Sequence, residues 1–334
     1  MTARQPASLI LTVLNEGEAI HKLMASLLAQ TCQPDEVVIV DGGSTDNTAA
    51  LLESYTNRLP LQVLIEPGSN ISRGRNVAIQ HAKHDLIAVT DAGVRLEPDW
   101  LEALLRPFEG PNPPDMVSGF FLPDPQGLWE YALAVTTLPA REEMGKGRFL
   151  PSSRSVAFTR AAWARVGGYP EWMTWSEDVL FDLAVINSRA AIAYQPEAIV
   201  WFRPRASLRG FARQYRNYAY GDGQGLLWPR RHAIRYATYL LVLPLLLVLL
   251  KRRPLLASIL LLMGGGAMVW TPLKRHWRTG RYRWRALSLI PLIRIAGDVA
   301  KMRGFPQALR EGWRNRARTR AYLNQQRNPY REPR

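Results

Sequence analysis

SLILTVLNEGEAI (8–20) and EVVIVDGGSTDNT (36–48) share one plan: a short apolar run that ends, with no linker, in a polar cluster. An uninterrupted apolar run suits a strand covered on both faces, as in a mostly parallel sheet. Reading outward, further strands are expected at 61–65, 86–90, 116–121, 155–158 and 191–199. Helical periodicity falls between them, at 18–29, 48–55 and 72–82. Alternation of this kind predicts a wound α/β sheet. In such a sheet ligands bind at the carboxyl ends of the strands, which is where the polar clusters fall. The dinucleotide signature G-x-G-x-x-G and the phosphate-loop signature G-K-[ST] are absent.

The chain has 334 residues, 47% of them hydrophobic, ample for one large domain with an appendage. Cys32 is the single cysteine, which excludes an intramolecular disulfide and fits a reducing compartment. The run 8–14 is too short for a secretory signal and passes straight into Asn15 and Glu16, so the first domain is expected in the cytoplasm. The net charge of +15 is unevenly placed. Residues 201–334 hold 28 Lys and Arg against 4 Asp and Glu, whereas residues 1–200 hold 15 against 24. The basic part also contains the longest apolar runs, 237–250 and 255–273, separated by Lys251-Arg252-Arg253-Pro254 and followed by Lys274-Arg275. Basic residues bracketing such runs predict attachment to membrane lipids. Nucleic-acid binding, which calls for aromatics and arginines on an exposed platform, is not expected. The expected division is an α/β domain over 1–228 and a membrane module over 229–303, followed by a basic cytoplasmic tail over 304–334. Within the module, apolar segments lie at 233–250 and 255–273, and an amphipathic surface helix at 286–302.

The ordered set LTVLNE (11–16), VDGGSTDNT (40–48), SRGRNVAI (72–79), VTDAG (89–93), GGYPE (167–171), WSEDVLFDLAV (175–185) and RQYRNYAYGDG (213–223) resembles the inverting glycosyltransferases of family 2, over about residues 7–225. That family has the GT-A fold. The resemblance implies transfer of a sugar from a nucleotide-diphosphate donor to a hydroxyl of a lipid-linked or polysaccharide acceptor. It gives Asp41 the donor's base and makes Thr12 and Glu16 the other wall of the nucleoside pocket. Arg75 is implied to hold the nucleotide, and Asp91 the ribose or a divalent cation, Mg²⁺ or Mn²⁺. Asp178 matches the base that deprotonates the acceptor, with Glu177 orienting beside it and Gly168 flooring the acceptor site. The usual Asp-x-Asp is broken at Gly93, so a metal is expected to bind weakly, with Arg95 able to supply charge. Arg213 and Gln214 sit where processive members carry Gln-x-x-Arg-Trp, which is absent, so addition of a single sugar is expected. A degenerate nucleotide-sugar-binding assembly partner is the alternative that Gly93 raises.

Local chemistry offers structural readings beside these. Asn15 and Glu16 can form a turn and cap, Ser44 and Asp46 can cap the next helix, and Gly42 and Gly43 can supply turn geometry. Arg73 competes with Arg75 as the functional arginine. Ser176 can cap a helix whose Val179, Leu180, Leu183 and Ile186 face the core. Glu177 and Asp178 also complement a helix dipole.

Overall fold

The computed structural model describes residues 4–144, 150–276 and 284–324. Strands β1 (Ala7–Val13), β2 (Glu36–Asp41), β3 (Leu61–Ile65), β4 (Leu86–Val89), β5 (Val94–Leu96), β6 (Met116–Pro123), β7 (Val156–Thr159) and β8 (Ile192–Phe202) form one sheet in the order β3-β2-β1-β4-β7-β6-β8-β5. β1 is parallel to β2 and β4, and β2 to β3. β7 is antiparallel to β4 and β6, and β5 to β8. The expected strands are all present, and β5 is an addition: three residues are too few to register as an apolar run.

Helices α1 (Ile20–Leu28), α2 (Thr48–Glu53), α3 (Ile71–His81), α4 (Trp100–Leu105), α5 (Leu128–Thr137), α6 (Arg160–Arg165) and α7 (Glu177–Asn187) alternate with the strands. They are followed by α8 (Leu208–Gln224), α9 (Pro229–Ala237), α10 (Leu243–Arg252), α11 (Pro254–His276), α12 (Leu289–Arg314) and α13 (Arg316–Leu323). The chain divides into two compact units. The first comprises Met1–Leu122, Arg141–Phe202 and Ala317–Arg334; the second comprises Pro123–Ala140 and Arg203–Arg316.

In the first unit β1 and β2 are buried almost throughout, which explains their uninterrupted apolar runs. Leu9, Leu11, Val37 and Ile39 pack with Ile20, Leu23, Leu101 and Trp100 in one core cluster. Each fully buried aliphatic side chain contributes roughly 1.5–3 kcal/mol. The register pairs Val13 with Asp41, so the polar residues after β1 and those at the end of β2 meet at one edge of the sheet.

Three local expectations are corrected. Ser44 Oγ accepts from the Asn15 amide (2.8 Å) rather than capping α2, while Asp46 Oδ1 accepts from the Thr48 amide (3.0 Å) at the helix entrance. Ser176 precedes α7 with φ 58°, in the left-handed region rather than the extended backbone usual for a capping residue, and makes no side-chain cap bond. The face of α7 that is buried runs through Glu177, Leu180, Phe181, Ala184 and Val185, leaving Ile186 exposed.

In the second unit α8 packs along α12, and glycines set the crossing. A Cβ at Gly304 would stand 2.1 Å from the Arg216 carbonyl oxygen. The helix expected over 286–302 runs on to Arg314, so no boundary falls at residue 303. Pro306 lies inside it, and the Met302 carbonyl that a helical amide at 306 would have bonded accepts from the Tyr236 hydroxyl at 2.6 Å. Its buried residues Ile290, Ile293, Gly297, Ala300 and Gly304 form a single stripe. Residues Pro229–Arg252 and Pro254–Lys274 are two helices long and apolar enough to cross a membrane, by length and composition. Leu240, Leu241, Leu245, Leu255, Leu262 and Met263 are exposed along them.

Candidate active site

α3 begins at a cap, Asn70 Oδ1 accepting from the Arg73 amide at 2.9 Å. This start places Arg73 and Arg75 differently. Arg73 pairs at the surface with Glu66 (3.0 Å) and Glu171 (3.8 Å). Arg75 turns inward and is 4% exposed, Nη1 donating to Glu177 Oε1 at 2.9 Å and Nη2 to Asp91 Oδ1 at 3.1 Å. Its guanidinium centre lies 5.2 Å from the Tyr169 ring. The fold thus joins three motifs far apart in sequence through one side chain. Burial opposes the Arg75 charge, but Tyr169, Glu177, Asp91 and Asp178 outweigh it and raise its pKa. Burial, reinforced by Asp178, pushes the Glu177 carboxyl up against the pull of Arg75.

Asp178 follows Glu177 in the first turn of α7 and is half-buried, with Oδ1 accepting from the Val179 amide at 2.8 Å. At the end of β2, Asp41 is 1% exposed. Its Oδ1 accepts from the amides of Gly43 (2.8 Å) and Ser44 (2.6 Å), whereas Oδ2 is buried without a partner among the described residues. Across the strand pair, Asn15 Oδ1 accepts from the Thr45 amide and the Glu16 amide donates to Thr48 Oγ1. The β1 and β2 turns are therefore tied together, with Thr12 half-buried on β1 just before them.

Gly168 has φ +79°, and a Cβ there would stand 2.9 Å from Asn76 Oδ1. Asn76 clamps this turn from both sides. Its Oδ1 accepts from the Tyr169 amide (2.8 Å) and Trp163 Nε1 (3.1 Å), and its Nδ2 donates to the Tyr169 carbonyl and Glu171 Oε1 (both 2.9 Å). Asn76 is a site residue that sequence reasoning passed over, although it stands next to Arg75 in GRN. Arg154 is another, with Nε 3.9 Å from Asp91 Oδ2. No motif announced it. Arg95 instead faces Glu97 at 3.6 Å and the Trp201 ring at 5.4 Å. Arg213 and Gln214 belong to the second unit, where Arg213 is exposed and Gln214 Nε2 donates to the Tyr218 hydroxyl at 2.8 Å.

Comparison with known proteins bears on this arrangement. The Glycosyl transferase family 2 model matches residues 8–167. Validoxylamine A glucosyltransferase of Streptomyces hygroscopicus subsp. limoneus is 30% identical over 116 residues, 34% of this chain and 26% of that protein. Poly-beta-1,6-N-acetyl-D-glucosamine synthase of Staphylococcus epidermidis is 22% identical over 247 residues, 70% of this chain and 60% of that protein. The chain thus spans about a quarter of the first relative and 60% of the second. Among solved structures, a mannosyltransferase from Pyrobaculum calidifontis in complex with GDP-Man and Mn²⁺ superposes with TM-score 0.53 at 16% identity, covering 97% of this chain and 86% of that one. The parallel strands β1 to β4, the mixed remainder of the sheet and the matched motifs agree: residues 8–167 are a glycosyl transferase family 2 domain, and the fold is GT-A.

Proposed function

We propose that the protein is a membrane-associated, non-processive inverting glycosyltransferase. It moves a sugar from a nucleotide-diphosphate donor to a hydroxyl of a lipid-linked or polysaccharide acceptor, with the catalytic domain facing the cytoplasm. One observation carries the reading: Asp178 stands half-buried on the first turn of α7, beside a Glu177–Arg75–Asp91 network at the carboxyl ends of the strands. Inversion needs one base. Asp178 takes the proton of the acceptor hydroxyl while that oxygen attacks the anomeric carbon opposite the departing diphosphate. Glu177, held by Arg75, orients the base and the acceptor, and Gly168 floors the acceptor site. The partnerless Asp41 Oδ2 is suited to accept from an N–H of the donor base, with Thr12 and Glu16 opposite. Arg75 and Asp91 steady the nucleotide. The relatives support the substrate classes: one is a polysaccharide synthase by name, and the mannosyltransferase holds a GDP-sugar.

The mannosyltransferase also holds Mn²⁺, whereas the donor set here does not fit a resident metal. Asp91 is the sole carboxylate of the strand-end motif, both its oxygens lie against guanidinium groups, and among the described residues no three His, Cys, Asp or Glu side chains converge. Any Mg²⁺ or Mn²⁺ at Asp91 rests chiefly on the donor's own phosphates.

Asp178→Asn tests the base. Transfer falls by roughly 10²–10⁴ while donor affinity stays within a few-fold. Transfer at the unmodified rate moves the base elsewhere, Glu177 first. Gly93 favours a second reading, a domain that binds a nucleotide sugar without turning it over; measurable donor hydrolysis by the purified protein excludes it.

A further inference from the structure

Within the second unit α12 turns one face to α8 and leaves the opposite face uncovered. Its buried residues follow the helical period, and a Cβ at Gly304 or Gly312 would strike the backbone of α8 at Arg216 or Gly223. Leu292, Ile295, Val299, Arg303, Arg310 and Arg314 are all exposed. Their spacings of three, four and seven residues set them along a single stripe. The stripe changes character along its length. Leu292 and Ile295 are each 45% exposed and Val299 37%, so its first part is bare aliphatic surface. From Arg303 onward it is basic, with Trp313 58% exposed at its edge. At a helical rise of about 1.5 Å per residue, Arg303 to Arg314 covers roughly 16 Å.

The protein supplies these arginines with no counter-charge. Between residues 299 and 324 Glu311 is the one acid, and it faces α8, accepting from the Tyr220 hydroxyl (2.7 Å) and Gln224 Nε2 (2.8 Å). Asp298 is also turned inward, to Arg235 at 2.6 Å and the Tyr239 hydroxyl at 3.1 Å. Among the described residues no ion pair or hydrogen bond engages the guanidinium of Arg303, Arg310 or Arg314. The aliphatic end belongs to the part of α12 that packs with α11, where Ile290 and Ile293 share a cluster with Val269 and Leu273. It therefore lies beside the helices that expose Leu255, Leu262 and Met263. A face that passes from aliphatic side chains to unpaired arginines matches the passage from acyl chains to phosphate headgroups. A nucleic acid would cover the arginines and leave the aliphatic end in water.

Resting on the membrane-associated reading above, we propose that the outward face of α12 is a bilayer-docking surface selective for anionic phospholipids. Leu292, Ile295 and Val299 enter the acyl boundary, and Arg303, Arg310 and Arg314 bind headgroup phosphates, for which the guanidinium fork is suited in geometry as well as charge.

The full chain with Cys32→Ser is given a nitroxide label at Leu292→Cys or at Gln307→Cys, an exposed position between the arginines, and is reconstituted into vesicles. The vesicles are phosphatidylcholine alone or phosphatidylcholine with phosphatidylglycerol, and collision with a water-soluble nickel chelate reads how far each label is shielded. The label at 292 is shielded in both lipids. At 307 the collision rate falls several-fold when phosphatidylglycerol is present and recovers in high salt. With Arg303→Gln, Arg310→Gln and Arg314→Gln combined, the label at 307 stays open to the chelate in both lipids, and an unchanged melting temperature shows that the variant is folded. Four results overturn the docking face: a label at 292 open in both lipids, equal collision rates at 307 in the two lipids, a triple variant shielded like its parent, or shielding at 307 that an added oligonucleotide produces and phosphatidylglycerol does not. A chain that floats with neither vesicle overturns the membrane-associated reading as well.

Discussion

Asp182 lies one helical turn beyond Asp178 on α7, 3% exposed, with Oδ2 buried and without a partner among the described residues. Burial, then the charge of Asp178, hold its carboxyl well above the usual range, against the pull of Arg75. The folded state therefore keeps a proton that the unfolded chain gives up near the ordinary carboxylate value. Over the window from there up to the raised value the unfolded state binds fewer protons, so stability falls as pH rises. Glu177, also raised, adds to the same slope. Asp182→Asn removes one titrating group, and its melting temperature is expected to fall less between pH 5 and pH 8 than that of the unmodified chain. Parallel curves would mean that Asp182 is ionised in the fold. At this scale the sequence showed Asp41, Arg75, Asp91, Glu177 and Asp178, each inside a motif. It did not show that Arg75 bridges Asp91 and Glu177, a contact made across about 100 residues of chain. Nor did it show Arg154, whose backbone is fastened beside Asp91 by a hydrogen bond from Thr90.

Among the elements, α13 departs furthest from expectation, since residues 316–323 read as part of a basic tail. Its Tyr322 hydroxyl donates to the Gly168 carbonyl, the Tyr322 ring meets Trp172 edge-on at 5.2 Å, and Arg318 lies over Trp172 at 4.1 Å. The Leu323 carbonyl accepts from Asn187 Nδ2 at 3.2 Å, tying the segment to the end of α7. The helix is thus part of the first unit and braces the turn that Asn76 clamps from the other side. Tyr322→Phe leaves a buried carbonyl without its donor, a loss of about 1–3 kcal/mol. The melting temperature should drop by several degrees, with the acceptor KM raised more than the donor KM. An unchanged melt would return α13 to the status of a tail. The strands were legible because continuous burial writes itself as continuous apolar sequence. α13 was not, because its buried residues are only Thr319 and Tyr322, spaced among arginines, a pattern that a solvated helix shares. α12 was cut short for a related reason: Pro306 ordinarily ends a helix, and the Tyr236 hydroxyl that satisfies the freed carbonyl comes from 66 residues away.

For the molecule as a whole, charge and apolar length point to one arrangement of the second unit. Pro229–Arg252 and Pro254–Lys274 are joined through Arg253, and α10 packs on α11, as in a hairpin. A hairpin returns the chain to the side from which it left. Arg230, Arg231 and Arg235 precede it and Lys274 and Arg275 follow, against Lys251, Arg252 and Arg253 at its turn, so the positive-inside rule predicts both ends in the cytoplasm. The part-buried pairs Arg235–Asp298 (2.6 Å) and His232–Asp222 (3.0 Å) hold the foot of the first apolar helix to α12 and α8, so the hairpin is anchored to folded protein at that end. The prediction follows from the turn. With Cys32 replaced by Ser and Arg253 by Cys, a membrane-impermeant maleimide added to intact cells labels the protein, whereas a chain retaining Cys32 as its only cysteine is labelled only after lysis. Labelling of Arg253→Cys only after lysis would show that the turn never reaches the outer face, and the two helices would then form a re-entrant pair lodged in one leaflet, with Pro244 and Gly264 to Gly266 loosening them enough to bend.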